Sequence, residues 1–190
     1  MKDGKTNLEK KNPFNERYED FKTFEKLLNR KTNQDDVPAA LEIKKNIPIY
    51  SGQLVRDYAN SSEKKQKLLT EWSNVFKSGA GIIAITNAIK SSSVIETATK
   101  IFEAIIKSEK INGNSGDHFA KPGANDRIWN SLQKHCMEDP QNFIDYYCSE
   151  IIALAAQSWL GPNYQITAQV NSVNPGGEAQ KPHRDYHLGF

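Results

Sequence analysis

The sequence has few cysteines and no long apolar run. Cys136 and Cys148 are its only two cysteines, too few for a disulfide framework, and we expect both to be free thiols. No apolar stretch approaches the roughly 18–20 residues that cross a bilayer. The first five residues lead into polar sequence and not into the apolar core of a secretory signal. These absences predict an intracellular, cytoplasmic setting with no membrane partner, and a peroxisomal location stays open.

The charges are nearly balanced, which argues against nucleic acid as a partner. The chain has 25 Lys and Arg against 23 Asp and Glu, for a net charge of +2. Proteins that bind nucleic acid usually carry a clustered basic face, and this balance does not predict one. Mean hydropathy is low, at −0.68. Three Trp, seven Tyr and eight Phe in 190 residues are still enough to build the core of one domain.

The first 56 residues are predicted to be a polar N-terminal extension. Residues 1–36 mix both charge signs, and the segment as a whole lacks a long periodic pattern. Apolar side chains between Phe14 and Leu28 recur at spacings of three and four, which predicts one short amphipathic helix. Residues 57–190 are predicted to contain the folded domain.

Three longer helices are predicted within that domain. The first runs over about residues 57–76 and ends in a glycine cap. The second opens with a capping box, in which Ser93 is the N-cap and Glu96 reaches back to it. The third begins at Asp139-Pro140, where Asp is the N-cap and Pro takes the first helical position, and it continues to Trp159.

Two strands and a turn are predicted from the remaining patterns. Gly81–Thr86 is short, β-branched and apolar on both faces, which is typical of a buried strand. In Tyr164–Asn174 apolar and polar residues alternate, which predicts a strand with one apolar face and with Gln169 and Asn171 on its polar face. Asn174-Pro175-Gly176-Gly177 is predicted to form a turn.

The chemical signal is concentrated after this turn. His183 and Asp185 are separated by one residue, and on an extended backbone their side chains point to the same side. An imidazole nitrogen and a carboxylate oxygen can then reach one cation together, as two of the three ligands in the two-histidine, one-carboxylate triad of iron(II). Calcium fits less well because it takes shells of oxygen. The spacing alone is common by chance and is more often a solvated pair or a structural hydrogen bond.

Further residues accompany this pair: Gln169, Asn174-Pro175-Gly176-Gly177, Gln180, Pro182-His183-Arg184-Asp185 and Tyr186-His187-Leu188-Gly189-Phe190. This stretch resembles the phytanoyl-CoA dioxygenase family, and a weaker similarity extends over about residues 70–190. The resemblance implies an iron(II)- and 2-oxoglutarate-dependent oxygenase that hydroxylates a small organic or acyl-type substrate. The implied fold is α+β, with N-terminal helices packed on the first strands of a double-stranded β-helix, or jelly roll.

The resemblance also implies roles for individual residues. His183 and Asp185 match the first two iron ligands of the family. Gln169 and Asn171 would point into the barrel and contact the cosubstrate, 2-oxoglutarate. Arg184 stands between the ligands, where the family often carries Gln, and we group it with the cosubstrate-binding residues. Residues 57–190 are accordingly predicted to be the N-terminal part of an oxygenase-like domain.

In the family, the second histidine ligand and the arginine that pairs with 2-oxoglutarate lie several strands further on. We therefore expect an incomplete barrel, a fragment of a longer protein, and a chain that is inactive by itself. His187 is a local candidate for the third ligand. His183, Asp185 and His187 would, however, span about 13 Å of a straight strand, whereas metal–ligand bonds are about 2 Å long, so binding by all three requires a sharp bend.

Two other functions stay open on the sequence alone. A non-catalytic α+β binding or interaction module would use the same helices and strands, with the His-Arg-Asp segment as a surface feature. A cupin-like metal enzyme would use the same two ligands without a keto acid. A histidine followed shortly by an arginine beyond Phe190, within alternating strands, would favour the oxygenase over the module. Conversion of 2-oxoglutarate to succinate by the full-length protein would separate the oxygenase from the cupin-like enzyme.

Overall fold

The fold combines seven α-helices and five short strands within the residues described. The computed structural model describes residues 21–113, 121 and 123–178. The helices are α1 (Phe21–Leu28), α2 (Gly52–Ala59), α3 (Ser62–Ser78), α4 (Ser92–Ile111), α5 (Ser131–Glu138), α6 (Pro140–Tyr147) and α7 (Glu150–Leu160). The strands are β1 (Glu42–Lys44), β2 (Ile47–Ser51), β3 (Ala84–Thr86), β4 (Asn125–Ile128) and β5 (Val170–Val173).

The strands form two small open sheets. In the first, β1 pairs antiparallel with β2, and β2 pairs parallel with β3. In the second, β4 pairs antiparallel with β5. A parallel pair needs a long crossover connection, and α2 and α3 supply it between β2 and β3. The α+β class is therefore confirmed. Neither sheet closes into a barrel within the described ranges, and the jelly roll stays a prediction.

A tight hairpin joins β1 to β2 through Lys45 and Asn46. Both residues have a positive φ, of 50° and 71°, as the central residues of a type I′ turn must. The Asn46 side chain also reaches back along the chain. Its Oδ1 accepts a hydrogen bond from the Thr32 N–H at 2.6 Å, and its Nδ2 donates to the carbonyl of Arg30 at 3.0 Å. One turn residue therefore fastens the segment after α1 to the first sheet.

The core draws on residues that composition assigns to the N-terminal extension. Val37, Tyr50 and Val55 are fully buried and belong to one cluster with Trp72 of α3 and apolar residues of α7. The rings of Tyr50 and Trp72 meet edge to face, with centroids 5.5 Å apart. Residues 1–56 are polar on average, but the part from Val37 to Val55 contributes buried side chains to the hydrophobic core. The domain boundary at residue 56 stays a prediction, although residues on both sides of it share this cluster.

A buried carboxylate fastens this segment to α3. Glu71 is 9% exposed, and its Oε1 accepts from the Tyr50 hydroxyl at 2.8 Å while its Oε2 accepts from the Ala39 N–H at 3.2 Å. Burial raises the pKa of Glu71, and the two hydrogen bonds offset part of that rise. Burial, together with the neighbouring carboxylate, also raises the pKa of Tyr50. The carboxylate thus connects a loop, a strand and a helix.

Helix α4 begins before the residue that the capping box predicts. Its N-cap is Ser91, whose hydroxyl accepts from the Ser93 N–H at 3.3 Å. The prediction of Ser93 as N-cap is therefore wrong. Residues 91–93 are all serine, and each could cap a helix, so the spacing to Glu96 did not identify the one that does. Ser93 lies in the first helical turn, with its hydroxyl 2.7 Å from that of Ser91.

The third predicted helix is in fact two helices. Its start is confirmed, because Asp139 Oδ1 accepts from the Asn142 N–H at 2.8 Å and Pro140 is the first helical residue. The chain then turns at Ser149, which is extended and precedes α7. This break allows α6 to pack on α4 and α5 while α7 packs on α2 and α3. The apolar stripe that looked continuous in the sequence therefore belongs to two helices, which pack against different neighbouring helices.

Several other predictions were right in type but wrong in extent. Helix α3 ends at Gly79, as expected, and the Gly79 N–H donates to the carbonyl of Asn74 at 3.0 Å. Strand β3 covers only the second half of the predicted Gly81–Thr86, since Gly81 has a positive φ of 74° and pairing with β2 begins at Ala84. Strand β5 likewise covers four residues of a predicted eleven. The helix predicted over about residues 57–76 covers the end of α2 and most of α3, so the start of α2 at Gly52 and the break between the two helices were not predicted.

Helix α1 confirms the C-terminal part of the predicted amphipathic helix. Its apolar side chains Phe21, Phe24, Leu27 and Leu28 are exposed, and none of its residues is buried. The remainder of that prediction lies in residues 1–20, outside the described residues. In the described parts of the chain, no helix is both long and apolar enough to cross a bilayer.

Tyr50→Phe tests the buried hydrogen bond to Glu71. The change leaves a buried carboxylate oxygen without its donor, and we expect a loss of about 1–3 kcal/mol in the free energy of unfolding. Urea denaturation measures this loss. The matched control is Tyr58→Phe, whose side chain is partly exposed and should cost less than about 0.5 kcal/mol. Equal losses in the two variants would contradict the role of Glu71.

The raised pKa of Glu71 predicts a pH dependence of stability. The folded state holds the Glu71 proton more tightly than the unfolded state, whose reference pKa is 4.5. The protonated Glu71 side chain therefore contributes fully to the free energy of unfolding below that value. This contribution is lost as the pH rises through the pKa of the folded state. Glu71→Gln cannot ionise, so wild type should lose stability relative to this variant over the pH range above the reference value of 4.5. A difference in unfolding free energy that grows in favour of wild type over this range would refute the shift.

Candidate functional site

Two of the predicted site residues lie within the last described stretch of the chain, and the other three lie after it. Gln169 and Asn171 lie beside and within β5. His183, Arg184 and Asp185 lie outside the described residues, so their placement stays a prediction. The structure therefore bears on the two strands and the turn that precede the predicted metal ligands.

Strands β4 and β5 present two different faces. Arg127 pairs with Asn171, and Ile128 pairs with Val170, so the members of each pair point to the same side of the sheet. Ile128 is fully buried, and this face is directed towards α4. Arg127 and Asn171 lie on the opposite face, where the Asn171 side chain is exposed. The alternation in the sequence therefore gave the correct parity for this strand.

Arg127 lies between an amide and an aromatic ring on this second face. Its Nη1 donates to Oε1 of Gln169 at 3.1 Å, although the two residues are 42 positions apart in the sequence. Its guanidinium carbon lies 5.0 Å from the centre of the Trp129 ring, within range of a cation–π contact. We use the name polar face for four residues on the side of β4 and β5 that is opposite Ile128, namely Arg127, Trp129, Gln169 and Asn171.

The backbone beside Gln169 is fastened from the α5 side. Ser131, at the start of α5, is fully buried, and its hydroxyl donates to the carbonyl of Ala168 at 2.8 Å. Burial raises the pKa of the neighbouring Tyr147 hydroxyl, and contact with Ser131 offsets part of that rise. The position of Gln169 is therefore set by a hydrogen bond to the residue immediately before it. Sequence patterns did not single out Ser131.

His135 is a structural residue in the same region. It is fully buried, and its Nε2 lies 2.8 Å from Oδ1 of Asn142, whose Nδ2 donates to the carbonyl of Val94 at 3.1 Å. Because that oxygen can only accept, the His135 Nε2 carries the proton. The Phe102 ring packs edge to face on the imidazole, with centroids 4.9 Å apart. These contacts join α4, α5 and α6 and give His135 a packing role.

The turn after β5 is confirmed, and its geometry explains its sequence. The Gly177 N–H donates to the carbonyl of Asn174 at 2.8 Å, and Gly176 has a φ of 85°. Proline second and glycine third are what a type II turn requires. The Asn174 N–H donates to the carbonyl of Ala124 at 2.9 Å, which holds the turn against the start of β4. The chain therefore leaves this turn in a defined position.

Charged residues also connect α4, strand β4 and the turn after β5. Lys110 of α4 pairs with Asp126 of β4 at 2.7 Å, and the Asp126 side chain is only 13% exposed. The Asn174 amide also donates to Asp126, at 3.3 Å. Lys121 pairs with Glu178 at 3.2 Å, but both side chains are more than 80% exposed, and such a surface pair contributes little. Asp126 is thus the charged residue that links helix, strand and turn.

The described residues do not supply a metal site by themselves. In residues 21–113, 121 and 123–178 no three His, Cys, Asp or Glu side chains lie close enough to hold a metal ion. The pair His183 and Asp185 offers one imidazole nitrogen and one carboxylate oxygen, a donor set that suits iron(II). The polar face adds the amide groups of Gln169 and Asn171, which suit the oxygen atoms of an organic acid.

Comparison with known protein families gives one match. The family model of phytanoyl-CoA dioxygenase (PhyH) matches residues 22–190. No match was found among curated proteins or among solved structures. The matched range contains β4, β5 and the turn, and it also contains the hairpin of β1 and β2.

Substitutions of the two turn glycines test how this segment is positioned. Gly176→Ala meets no atom within 4 Å but keeps a positive φ, and we expect it to cost about 1–2 kcal/mol of unfolding free energy. Gly176→Asn should cost less, because Asn tolerates this conformation. Gly177→Ala places its Cβ 2.8 Å from the carbonyl oxygen of Ala124, so it must displace the turn from β4. Thermal melts that show no loss for either alanine variant would contradict this geometry.

Proposed function

The chain belongs to the phytanoyl-CoA dioxygenase family, and we propose that it takes part in iron(II)- and 2-oxoglutarate-dependent hydroxylation. The family match over residues 22–190 supports this proposal most directly. The spacing of His183 and Asp185 also supports it, because an extended backbone would bring a nitrogen and an oxygen donor to one side of the chain.

In this proposal His183 and Asp185 hold the metal through an imidazole nitrogen and a carboxylate oxygen. Iron(II) and 2-oxoglutarate, when bound, supply the activation of O₂ that hydroxylates a C–H bond, and the keto acid is converted to succinate and CO₂. The part of the protein is to present its ligands on one side of the metal, so that other positions stay open. It also excludes water from the site.

The amide groups of the polar face are proposed to bind the cosubstrate. Gln169 and Asn171 carry amide groups on the open side of β4 and β5, and Arg184 adds a cation next to the metal ligands. Amide N–H groups and a guanidinium donate to the carboxylate oxygens of 2-oxoglutarate. Trp129 provides an apolar surface beside them that limits access of water to the face.

We extend the proposal to the architecture around this face. Strands β4 and β5 would be the first strands of a double-stranded β-helix, with α4 packed on the outside and the polar face on the inside. Ile128 is buried on the α4 side and Asn171 is exposed on the other, which supports this orientation. The oxygenase-like domain would extend over residues 57–190, together with the core residues before residue 57. The substrate would be a small organic or acyl-type molecule.

Substitution of the two proposed ligands tests this function. We expect His183→Ala and Asp185→Ala each to lower iron-dependent conversion of 2-oxoglutarate to succinate at least about 100-fold, since even partners outside the ligand shell cost 10–100-fold. The assay should use the protein as its gene encodes it, loaded with iron(II) without oxygen and then exposed to O₂. Asp57→Asn removes an exposed carboxylate on α2 and is the matched control.

The same assay separates the other candidate functions. Metal binding that depends on His183 and Asp185, without any succinate, would replace the oxygenase with a cupin-like metal enzyme. Absence of both metal binding and turnover would leave a non-catalytic module. His187→Ala should retain metal binding, and its loss in that variant would make His187 a ligand.

A further inference from the structure

We infer that Arg127 is a positioning residue, which fixes the side-chain amide of Gln169 so that its N–H₂ group faces the cosubstrate. The inference rests on the proposed function and deepens it. It assigns a role to a residue on β4 that acts through another residue on the chain leading into β5. The contact that carries it is the 3.1 Å hydrogen bond from Arg127 Nη1 to Gln169 Oε1.

The chemistry of the two groups determines the orientation of the amide. A guanidinium has only N–H donors, so the amide must turn its carbonyl oxygen towards Arg127. The Nε2 group of Gln169 then points the other way. In the described part of the chain no atom accepts a hydrogen bond from it, and the side chain is exposed. A glutamine that could otherwise present either end thus presents two donors.

Arg127 and Gln169 are each held by contacts of their own. The guanidinium packs on the Trp129 ring, and the Arg127 backbone pairs with Asn171 in the sheet. The backbone next to Gln169 is fixed by the Ser131 hydroxyl, which donates to the Ala168 carbonyl at 2.8 Å. With both backbones fixed, the hydrogen bond between the side chains selects one amide rotamer without ordering a loop at the time of binding.

Two outward donors favour an oxygen acceptor of negative charge. A carboxylate of 2-oxoglutarate has oxygens that can accept from the Gln169 N–H₂ group. Pre-orientation spares the ligand the cost of ordering a side chain rich in rotamers. The pair therefore improves recognition of the keto acid without bringing Arg127 itself into contact with it.

A double-mutant cycle on binding tests the inference without relying on activity. The measured quantity is the Kd for 2-oxoglutarate by calorimetry, with iron(II)-loaded protein and no oxygen. Arg127→Met should weaken binding about two- to tenfold, the value of one ordinary hydrogen bond. In a Gln169→Met background the same change should have less than about a twofold effect. Equal weakening in both backgrounds would overturn the inference, because Arg127 would then act without Gln169.

Two conservative variants separate positioning from packing. Arg127→Lys keeps a donor-only cation and should weaken binding less than Arg127→Met does. Gln169→Glu keeps the shape and the partner of Arg127 but removes both donors, and it should weaken binding at least about tenfold, with no fall in melting temperature. If Lys behaves like Met, or if Glu binds like wild type, the role assigned to the amide is wrong.

Nuclear magnetic resonance of the ligand-free protein provides a second readout. The ¹⁵N order parameter of the Gln169 side-chain amide should exceed that of the exposed Gln165, and Arg127→Met should abolish the difference. Equal mobility of the two amides in wild type would overturn the inference whether or not 2-oxoglutarate binds. An ordered Gln169 in a protein that does not bind 2-oxoglutarate would instead refute the proposed function, and with it the cosubstrate as the ligand of this amide.

Discussion

The buried carboxylate of Glu71 is the constraint on which the N-terminal half of the fold depends. It places a polar group inside an apolar cluster, where it is tolerated only because Tyr50 and the Ala39 backbone donate to it. Its two hydrogen bonds join the loop before β1, strand β2 and helix α3 at fixed positions. The chain before residue 56 is thereby held to the helical body, and β3 can pair with β2.

In the C-terminal half, a different set of polar contacts holds the strands to the helices. His135 and Asn142 join three helices, Ser131 extends that group to the backbone before Gln169, and Asp126 links β4 to α4 and to the turn. These contacts lie away from the polar face and fix its position from behind. The face itself keeps the amide groups of Gln169 and Asn171 exposed to solvent, as a binding site requires.

Local patterns predicted local features, and tertiary contacts account for the rest. The cap at Asp139 and the turn at Asn174–Gly177 were readable because each depends on a few adjacent residues. The strands before residue 56 were not, since their burial depends on Glu71, far along the chain. The break at Ser149 could not be read either, because the apolar stripe runs on through it. Strand parity around Asn171 followed from alternation, whereas the contact between Arg127 and Gln169 spans 42 positions and leaves no periodic signal.

The central claim is that one metal ion is held by His183 and Asp185 next to the donors of the polar face. A crystal structure of the protein with a divalent metal and 2-oxoglutarate tests it most directly. The account predicts bonds of about 2.0–2.2 Å from the metal to a His183 nitrogen and an Asp185 oxygen, with a carboxylate of the keto acid within hydrogen-bond distance of Gln169 Nε2. A metal bound elsewhere, or side chains of residues 183 and 185 that point apart, would contradict it.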